Sequence, residues 1–409
     1  MPSPISTRRC VASWQDVNDR AAPVTTATRF VARNPWKQRA GDLADRVLTA
    51  LAPRLVAETR PVPRHPRILV VRCDHIGDAV MATAALQPIA DAMEPAQLDV
   101  LCGPWGREIF DAHPAVHEVL TVETPWWLSA RGAGGLRRLR AWAALPALVR
   151  RLRARQYDFV FELRGDLRQI LLFAALSGAP RRIASDRTGG RALLTHVVPH
   201  DESRHEVERL ASLLAAVGVT RIARPVLRAP DTVRADLAAE LPSGPYVVVA
   251  GTGTEPNRAW PAAHVAALAT RLAARGVPTV IVGGAADARY AREVVAAGAP
   301  VRDLTGRTSL TELAYVLARA AVAVCTDSGP MHIAAAVGTP VVALFGPGDP
   351  AHSRPWGGNV TLLTSGSPCG CIHPWCDRTA DRHAPGRCMS ETSPSTVESA
   401  VVQALGIGG

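Results

Sequence analysis

The residues of this chain that are best suited to chemistry begin with the run Asp327-Ser328-Gly329-Pro330-Met331-His332. The run follows a predicted buried strand and opens a predicted helix, because proline is favoured in a first helical turn and Asp or Ser just before it. Such a start directs unpaired N–H groups and positive dipole outward, so it is suited to bind an anion such as a diphosphate. The alternative is that Asp-Ser-Gly-Pro only caps the helix and that His332 lies in the core. The candidate ligand-binding residues here are Asp327, Ser328, Gly329 and His332.

A second polar turn lies in the N-terminal half, in the run Arg72-Cys73-Asp74-His75-Ile76-Gly77-Asp78. It follows the predicted strand Ile68 to Val71, and Gly77 permits a tight turn into a helix. Asp78 then falls in the first helical turn at the carboxyl edge of the sheet, where open α/β sheets bind ligands. A carboxylate there can act as a general base if it reaches a substrate hydroxyl. The alternatives are that Asp78 only caps its helix and that Asp74 only pairs with Arg72.

A third turn follows the predicted strand Tyr246 to Ala250. Its sequence, Gly251-Thr252-Gly253-Thr254, lets backbone N–H groups approach a phosphate, and Thr252 is the candidate contact. The turn does not match the G-x-G-x-x-G pattern of dinucleotide-binding proteins, which disfavours hydride transfer. Arg258, a few residues later, is either a phosphate ligand or a surface arginine beside Trp260-Pro261.

Length and periodicity indicate two α/β domains that carry these turns. A chain of 409 residues suits two domains of roughly 150 residues with extensions, and strands alternate with helices as in parallel βαβ units. The predicted strands are Ile68 to Val71, Leu98 to Leu101, Val116 to Val122, Phe159 to Glu162, Arg182 to Ala184, Tyr246 to Ala250, Thr279 to Val282, Ala321 to Cys325 and Val341 to Phe345. The predicted organisation is an extension at 1–63, Rossmann-like domains at 64–230 and 240–365, and a Cys-rich tail with a C-terminal helix at 366–409.

The net charge indicates the kind of binding partner, and the hydropathy indicates where in the cell the protein is expected. The net charge of +10 indicates an acidic partner, and arginines crowd residues 131–155. That region is either a solvated helix face or a landing site for a phosphorylated acceptor or an anionic membrane. No run of 18 apolar residues exists, and residues 1–37 lack the apolar core of a secretory signal, so a flexible tail or an organelle transit segment remains. We expect a cytoplasmic protein, or a peripheral one at the inner face of the cytoplasmic membrane.

Four of the eight cysteines cluster in the tail. Their spacing, C-x-C-x4-C-x11-C, is not that of a standard zinc finger or ribbon. A structural metal, reduced thiols and a disulfide all stay open for this cluster. Its members are Cys369, Cys371, Cys376 and Cys388.

These runs together resemble the motifs of glycosyltransferase family 9, the heptosyltransferase family. The resemblance rests on residues 327–332, on Phe-Gly-Pro-x-Asp-Pro at 345–350 and on Arg-x-Asp-x-Ile-Gly-Asp at 72–78, and it covers roughly Arg67 to Pro355. It implies the GT-B architecture, in which two doubly wound Rossmann-like domains face each other across a cleft. The chain departs from the family pattern in two places. Thr83-Ala84 stands where Thr-Pro is frequent, and Arg258 stands where Lys-x-Trp-Pro has its lysine.

The resemblance also implies roles for single residues. Asp78 would be the catalytic base, and Arg258 would hold the donor phosphate, with a reach and shape that differ from those of lysine. The run Asp158 to Asp166 resembles the acceptor-side strand and turn of the family. The candidate acceptor-binding residues are Asp74, Arg164 and Arg168.

The implied function is that of an inverting glycosyltransferase without a cofactor or metal. The donor would be a nucleotide-diphosphate sugar, with ADP-heptose as the implied one, and the acceptor a hydroxyl of an anionic glycan or glycolipid such as lipopolysaccharide core. A different nucleotide sugar with a small-molecule or other glycan acceptor is the first alternative. A non-catalytic nucleotide-sugar-binding protein and a nicotinamide oxidoreductase are the others. Nucleic acid is not an expected partner, because no stacking aromatics are interleaved with the arginines.

Overall fold

The computed structural model describes residues 43, 46–53, 60–130, 132–253, 255–365 and 387–407. The chain divides into two compact units. Unit 1 comprises Met1–Asp74 and Ala82–Ala223, and unit 2 comprises His75–Met81 and Arg224–Gly409. The second unit therefore includes a short segment from the N-terminal half, and that segment contains Asp78.

Unit 1 is built on a parallel six-stranded sheet with the order β3-β2-β1-β4-β5-β6. This is the doubly wound order, and strand addition reverses direction between β1 and β4. The central strands are buried on both faces, so they read as continuous apolar runs such as Ile68–Val71. The strands are β1 Arg67–Arg72, β2 Gln97–Cys102, β3 Glu118–Thr121, β4 Phe159–Glu162, β5 Arg181–Ser185 and β6 His196–Val198.

Helices cover both faces of this sheet. A core that includes Leu69, Leu101, Leu152 and Phe173 lies on one side, and a smaller cluster around Ile170 and Leu193 includes Ala52 of the first helix. The helices are α1 over residues 46–53, α2 Ile76–Ala92, α3 Arg107–Phe110, α4 Pro125–Ala130, α5 Gly135–Ala154, α6 Leu167–Gln169 and α7 Glu206–Ala215. The first turns of α2, up to Met81, belong to unit 2.

Unit 2 repeats the same topology. Its order, β12-β11-β10-β7-β8-β9, is the doubly wound order with strand addition reversing between β7 and β10, and every pairing is parallel. The strands are β7 Val247–Ala250, β8 Thr279–Ile281, β9 Val301–Asp303, β10 Val322–Thr326, β11 Val341–Phe345 and β12 Val360–Thr364.

The helices of unit 2 include two from the end of the chain. Val397 and Val401 of the last helix enter the same core as Trp260, Leu268 and Val324, so the C-terminal segment is part of this unit. The helices are α8 Ala235–Glu240, α9 Ala262–Ala273, α10 Ala288–Ala296, α11 Leu310–Ala318, α12 Gly329–Ala336, α13 Pro350–Ser353, α14 Arg387–Glu391 and α15 Pro394–Leu405.

The predicted fold class is confirmed, and the errors in the predicted elements fall at the sheet edges. Strands β6, β9 and β12 were not predicted; each is an edge strand, and the residues of β9 and β12 are only half-buried or exposed. Because these strands are little buried, their sequences lack the continuous apolar run by which the central strands were predicted. Between β4 and β5, the short α-helix Leu167–Gln169 continues as a π-helix over Ile170–Ala175. None of the described helices is both long and apolar enough to cross a bilayer.

Candidate active site

The start of α12 follows directly from the end of β10 in unit 2. Ser328 is the N-cap residue in an extended conformation, and Pro330 stands in the first turn. The Ser328 hydroxyl does not cap the helix; it donates to the carbonyl oxygen of Thr326 at 3.1 Å. The capping interpretation of Ser328 is therefore wrong. Pro330 has no N–H group and the Met331 N–H donates to the Ser328 carbonyl oxygen at 3.2 Å, so the Gly329 N–H group remains as a donor for an anion at this helix start.

Asp327, next to this helix start, is buried and held from two sides. Arg258 Nη1 lies 2.9 Å from its Oδ2, and the Ser353 hydroxyl donates to its Oδ1 at 3.3 Å. Burial raises the pKa of Asp327 above its usual range and the charge of Asp78 adds to this, while Arg258 and Ser353 act in the opposite direction. Gly348 also packs here, and a Cβ at that position would lie 2.4 Å from Oδ2. The carboxylate consequently has little room to reorient.

Arg258 ends a short 3₁₀ turn, Pro256–Arg258, just before the fully buried Trp260. The Trp260 indole donates to the carbonyl oxygen of Thr392 at 2.9 Å, so the C-terminal segment anchors the turn. Arg258 Nε is buried and has no hydrogen-bond partner among the residues that the structure describes. The guanidinium thus pairs with Asp327 and retains an unused donor.

The glycine-rich turn after β7 reaches the same sheet edge. The Thr326 hydroxyl donates to the carbonyl oxygen of Thr252 at 2.7 Å, which joins the ends of β10 and β7 at the point where strand addition reverses. A Cβ on Gly253 would lie 3.5 Å from the carbonyl oxygen of Asp327. Thr252, Arg258 and Asp327 are therefore close together.

The segment that contains Asp78 packs on α12 within unit 2. A Cβ on Gly77 would lie 2.6 Å from Cδ2 of His332, and a Cβ on Gly329 would lie 3.0 Å from Cγ2 of Ile76. Two glycines thus let the first turns of α2 and α12 meet, and His332 is buried in this contact. The predicted base and the predicted donor residues lie in one compact unit.

Asp78 itself lies in the first turn of α2 and is partly open to solvent. Its side chain is 26% exposed, and Oδ2 lies 3.2 Å from Nδ1 of His75. Its charge acts on Asp327, as the pKa of Asp327 reflects. A partly exposed carboxylate next to an uncapped helix start can remove a proton from one reactant while the helix start holds the anion of another.

Asp74 belongs to an ion-pair network in unit 1. Its carboxylate lies 2.8 Å from Arg72 Nε and 2.5 Å from Arg164 Nη1, and its carbonyl oxygen accepts from the Trp105 indole at 2.9 Å. Asp74 thus pairs with Arg72, as the alternative to a site role has it, but it pairs with Arg164 as well. Arg72 also contacts Glu206 at 2.8 Å, and nothing in the local sequence signals that partner.

Glu162 is a buried acid at the end of β4 that sequence reasoning did not select. It accepts backbone N–H groups from Arg164, Gly165 and Asp166, at 2.6 to 3.2 Å, and so fixes the turn that carries Arg164. Burial raises its pKa to about 8, with a further contribution from the charge of Asp166, against the lowering effect of the N–H groups. Its position at a strand end was the available signal.

A cavity of about 260 Å³ opens in unit 1 beyond the ends of β4, β5 and β6. Four arginines and two acids line it, and burial followed by the charges of Arg187 and Arg209 lowers the pKa of His200 to about 4. The lining therefore carries a net positive charge at neutral pH with His200 uncharged. The charged lining residues are Arg164, Arg187, Arg204, Arg209, Asp201 and Glu206.

Arg168 does not line this cavity. Its guanidinium pairs with Asp166 at 2.5 Å and stacks over the Trp126 ring at 4.9 Å from the centroid. Of the three predicted acceptor residues, Asp74 and Arg164 form an ion pair with each other, and Arg168 pairs with Asp166 instead.

The cysteine cluster is only partly described. Cys388 is buried beside Met389 in the core of unit 2. Cys369, Cys371 and Cys376 lie outside the described residues, so the choice between metal, thiols and disulfide is unchanged.

Comparison with known proteins identifies the family. The model of Glycosyltransferase family 9 (heptosyltransferase) matches residues 145–373. The chain is 30% identical over 328 residues to lipopolysaccharide heptosyltransferase 1 of Pseudomonas aeruginosa. The alignment covers 76% of this chain and 87% of that relative. The chain belongs to glycosyltransferase family 9. Family membership makes this protein a glycosyltransferase, as predicted, and favours glycosyl transfer over the binding-protein and oxidoreductase alternatives.

Solved structures agree with the fold of this family 9 enzyme. The E. coli ADP-heptose lipopolysaccharide heptosyltransferase II superposes with a TM-score of 0.68 at 23% identity, over 83% of this chain and 98% of that one. An E. coli heptosyltransferase bound to ADP-2-deoxy-2-fluoro heptose superposes with a TM-score of 0.61 at 22% identity, over 82% and 99%. These likenesses confirm the GT-B fold class.

Proposed function

We propose that this enzyme transfers heptose from ADP-heptose to a hydroxyl group of a lipopolysaccharide inner-core acceptor, with inversion at the anomeric carbon. The observation that carries the proposal is the packing of the Asp78 segment on the α12 start within one compact unit. Relatives and a neighbouring structure that are named for heptosyl transfer and ADP-heptose support the choice of donor. The nucleotide sugar is the only small molecule that the proposal requires, and no cofactor enters it.

The donor diphosphate is proposed to bind at the α12 start. The Gly329 N–H group and the unused Nε of Arg258 are the proposed donors for phosphate oxygens. Asp327 holds Arg258 in place through their 2.9 Å contact. Negative charge that develops on the departing diphosphate would meet donors that are already fixed, which is how an electrostatic site lowers a barrier.

Asp78 is proposed as the general base. Its partly exposed carboxylate would take the proton of the acceptor hydroxyl as the oxygen attacks the anomeric carbon and the bond to the diphosphate breaks. The proton ends on Asp78, and the electron pair of the broken bond leaves with ADP. One carboxylate and a single displacement give inversion.

The acceptor is proposed to contact the basic cavity of unit 1. Its net positive lining fits an acidic group, phosphate or carboxylate, of an inner-core glycan. Arg164 is the central residue in this proposal, because it lines the cavity and is oriented by Asp74 on one side and by the Glu162 turn on the other. Arg168 would contribute only at the periphery.

A product assay with donor and acceptor panels tests the proposed function. The purified enzyme would be incubated with ADP-, UDP-, GDP- and dTDP-sugars, each with a deacylated inner-core acceptor and with small glycosides, and products identified by mass spectrometry. Heptose added to the core acceptor from ADP-heptose alone is the expected result. Transfer of another sugar from another nucleotide would replace the proposed donor, and transfer only to small glycosides would replace the acceptor.

A further inference from the structure

Helix α5, Gly135–Ala154, exposes large apolar side chains on the face opposite the one it buries. Ala141, Leu145 and Leu152 pack inward, whereas Leu136 and Leu139 are 63% and 65% exposed. At 3.6 residues per turn these two leucines lie on the far side of the helix. The exposed small residues Ala143, Pro146 and Ala147 continue the same outward face.

Trp142 lies on the flank of this outward face. Its ring is 52% exposed and meets Trp126 edge-on at a centroid distance of 6.2 Å. A half-exposed tryptophan beside exposed leucines is the composition of a helix that lies in the interface of a bilayer.

The charge of α5 is uniformly positive. The helix contains six arginines and no acidic residue. Arg137 and Arg151 pair with Glu123 and Glu118 from elsewhere in unit 1. The remaining four are exposed and make no ion pair with any residue that the structure describes; they are Arg138, Arg140, Arg150 and Arg153.

This grouping is specific to unit 1. In unit 2 the exposed large apolar residues of the described chain, among them Val226, Val295 and Leu362, lie singly in separate parts of the unit, which is ordinary for a protein surface. In the described part of unit 1, Leu43, Val47 and Leu51 form one group on or next to α1, and three others share the basic helix α5. An uncharged protein partner would bury the leucines but would leave the unpaired arginines without counter-charges, whereas an anionic bilayer satisfies both.

We propose that α5 is a docking surface for an anionic lipid bilayer. Leu136, Leu139 and Trp142 enter the boundary between headgroups and acyl chains, and the unpaired arginines reach lipid phosphates. The inference rests on the proposed function only in that a lipid-linked acceptor would lie in the same bilayer. The docking itself involves no catalytic residue, so it can be tested without turnover.

Co-sedimentation with lipid vesicles tests the proposal. The full chain would be mixed with vesicles of phosphatidylglycerol and phosphatidylcholine in equal parts, and with vesicles of phosphatidylcholine alone. We expect binding to the first and little to the second, with affinity that falls as salt rises. The triple variant Leu136→Ser, Leu139→Ser, Trp142→Ser should bind at least tenfold more weakly, and Arg138→Gln, Arg140→Gln, Arg150→Gln should lose about fivefold per arginine at low salt.

A matched control comes from unit 2. Val295→Ser with Arg292→Gln and Arg302→Gln changes an exposed apolar residue and two exposed arginines, and it should bind vesicles as the wild type does. All variants should transfer sugar to a deacylated, water-soluble acceptor at the wild-type rate, which separates failure of docking from failure of the proposed function. Equal binding by the apolar triple variant, or no binding of the wild type to anionic vesicles, would overturn the proposal. A wild-type dimer in solution that the apolar triple variant abolishes would also overturn it, since the face would then join two copies of the chain.

Discussion

The two units share one strand order but place different groups at the point where strand addition reverses. At the reversal point of unit 1, between β1 and β4, buried side chains form a charged network in which Asp74 is held by Arg72 and Arg164. At the corresponding point of unit 2, between β7 and β10, glycines and an uncapped helix start stand beside one ion pair, Arg258–Asp327. Backbone donors suit a constant group such as a diphosphate, and arginine side chains suit an acceptor whose acidic groups vary.

The segment that contains Asp78 differs from the rest of the N-terminal half, because it packs with unit 2 instead of unit 1. Gly77 and Gly329 make that packing sterically feasible. The proposed base therefore has a fixed position relative to the proposed donor site. We expect changes in unit 2 to affect the chemical step and changes in unit 1 to affect acceptor use.

The largest expected effect belongs to Asp78. Asp78→Asn keeps the size of the side chain but removes its basicity, so kcat should fall by about 10²- to 10⁴-fold while the Kd for ADP stays within about twofold. Steady-state kinetics and calorimetry on the same preparation measure both. Asp91→Asn, on the exposed last turn of the same helix, is the control and should change neither quantity. A loss of ADP binding that matches the loss of kcat would make Asp78 a donor ligand instead of a base.

The second largest effect is expected for Arg258, whose substitution should weaken the binding of the donor nucleotide. Arg258→Gln removes the charge-assisted bonds to phosphate, and we expect the Kd for ADP to rise about 10- to 100-fold. Because Asp327 is buried, the variant also leaves a carboxylate without its cation, so unfolding by urea should occur at a lower concentration. Arg258→Gln, Asp327→Asn should recover the stability but not the ADP affinity. Recovery of both would mean that Arg258 serves only to balance Asp327.

A smaller effect is expected from Gly77. Gly77→Ala introduces a Cβ that would lie 2.6 Å from the His332 ring, so the first turn of α2 must shift and kcat should fall about tenfold. Gly77→Ala, His332→Ala removes the obstructing ring, and a double-mutant cycle measures the coupling. We expect the double variant to lose less activity than the two single losses combined. Strict additivity would show that the contact does not position Asp78.

The last prediction concerns pH and the two buried acids, and it affects stability instead of activity. The pKa of Glu162 in the folded chain, about 8, exceeds its ordinary value, so between roughly pH 4.5 and pH 8 the folded chain binds more protons than the unfolded chain. The free energy of unfolding should therefore fall as pH rises through this window, by at most about 1.4 kcal/mol per pH unit for this group.

Urea unfolding of the wild type and of Glu162→Gln at several pH values measures that slope. The variant should show a flatter dependence than the wild type, and Asp327→Asn in unit 2 should act in the same direction because burial raises that pKa too. An equally steep slope in Glu162→Gln would assign the pH dependence to other groups.

The sequence predicted the centre of each sheet well, since strands such as β1 and β10 are apolar throughout and buried on both faces. The edge strands β9 and β12 were missed because their side chains are only half-buried or exposed. The residue patterns and the resemblance together predict Asp78, Arg258 and Asp327 as site residues, and these roles stay predictions. They could not reveal the contact between Gly77 and His332, which depends on packing between segments far apart in the chain.

Two further residues were not predicted from the sequence because their partners lie elsewhere in the fold. Glu206 is an ordinary helix-start acid in the sequence, and only folding brings it to Arg72. Glu162 follows an apolar strand, yet its importance lies in the three N–H groups of the turn after it. Local sequence patterns do not predict such partners.

The anomeric configuration of the product tests the central claim most directly. NMR of the glycoside formed from ADP-heptose and a soluble core acceptor gives the coupling at the anomeric carbon, which can be compared with that of the donor. The account predicts inversion, because Asp78 activates the acceptor for one displacement. Retention of configuration would contradict it, since a second displacement would need a covalent or ion-pair intermediate that Asp78, acting as a base, does not supply.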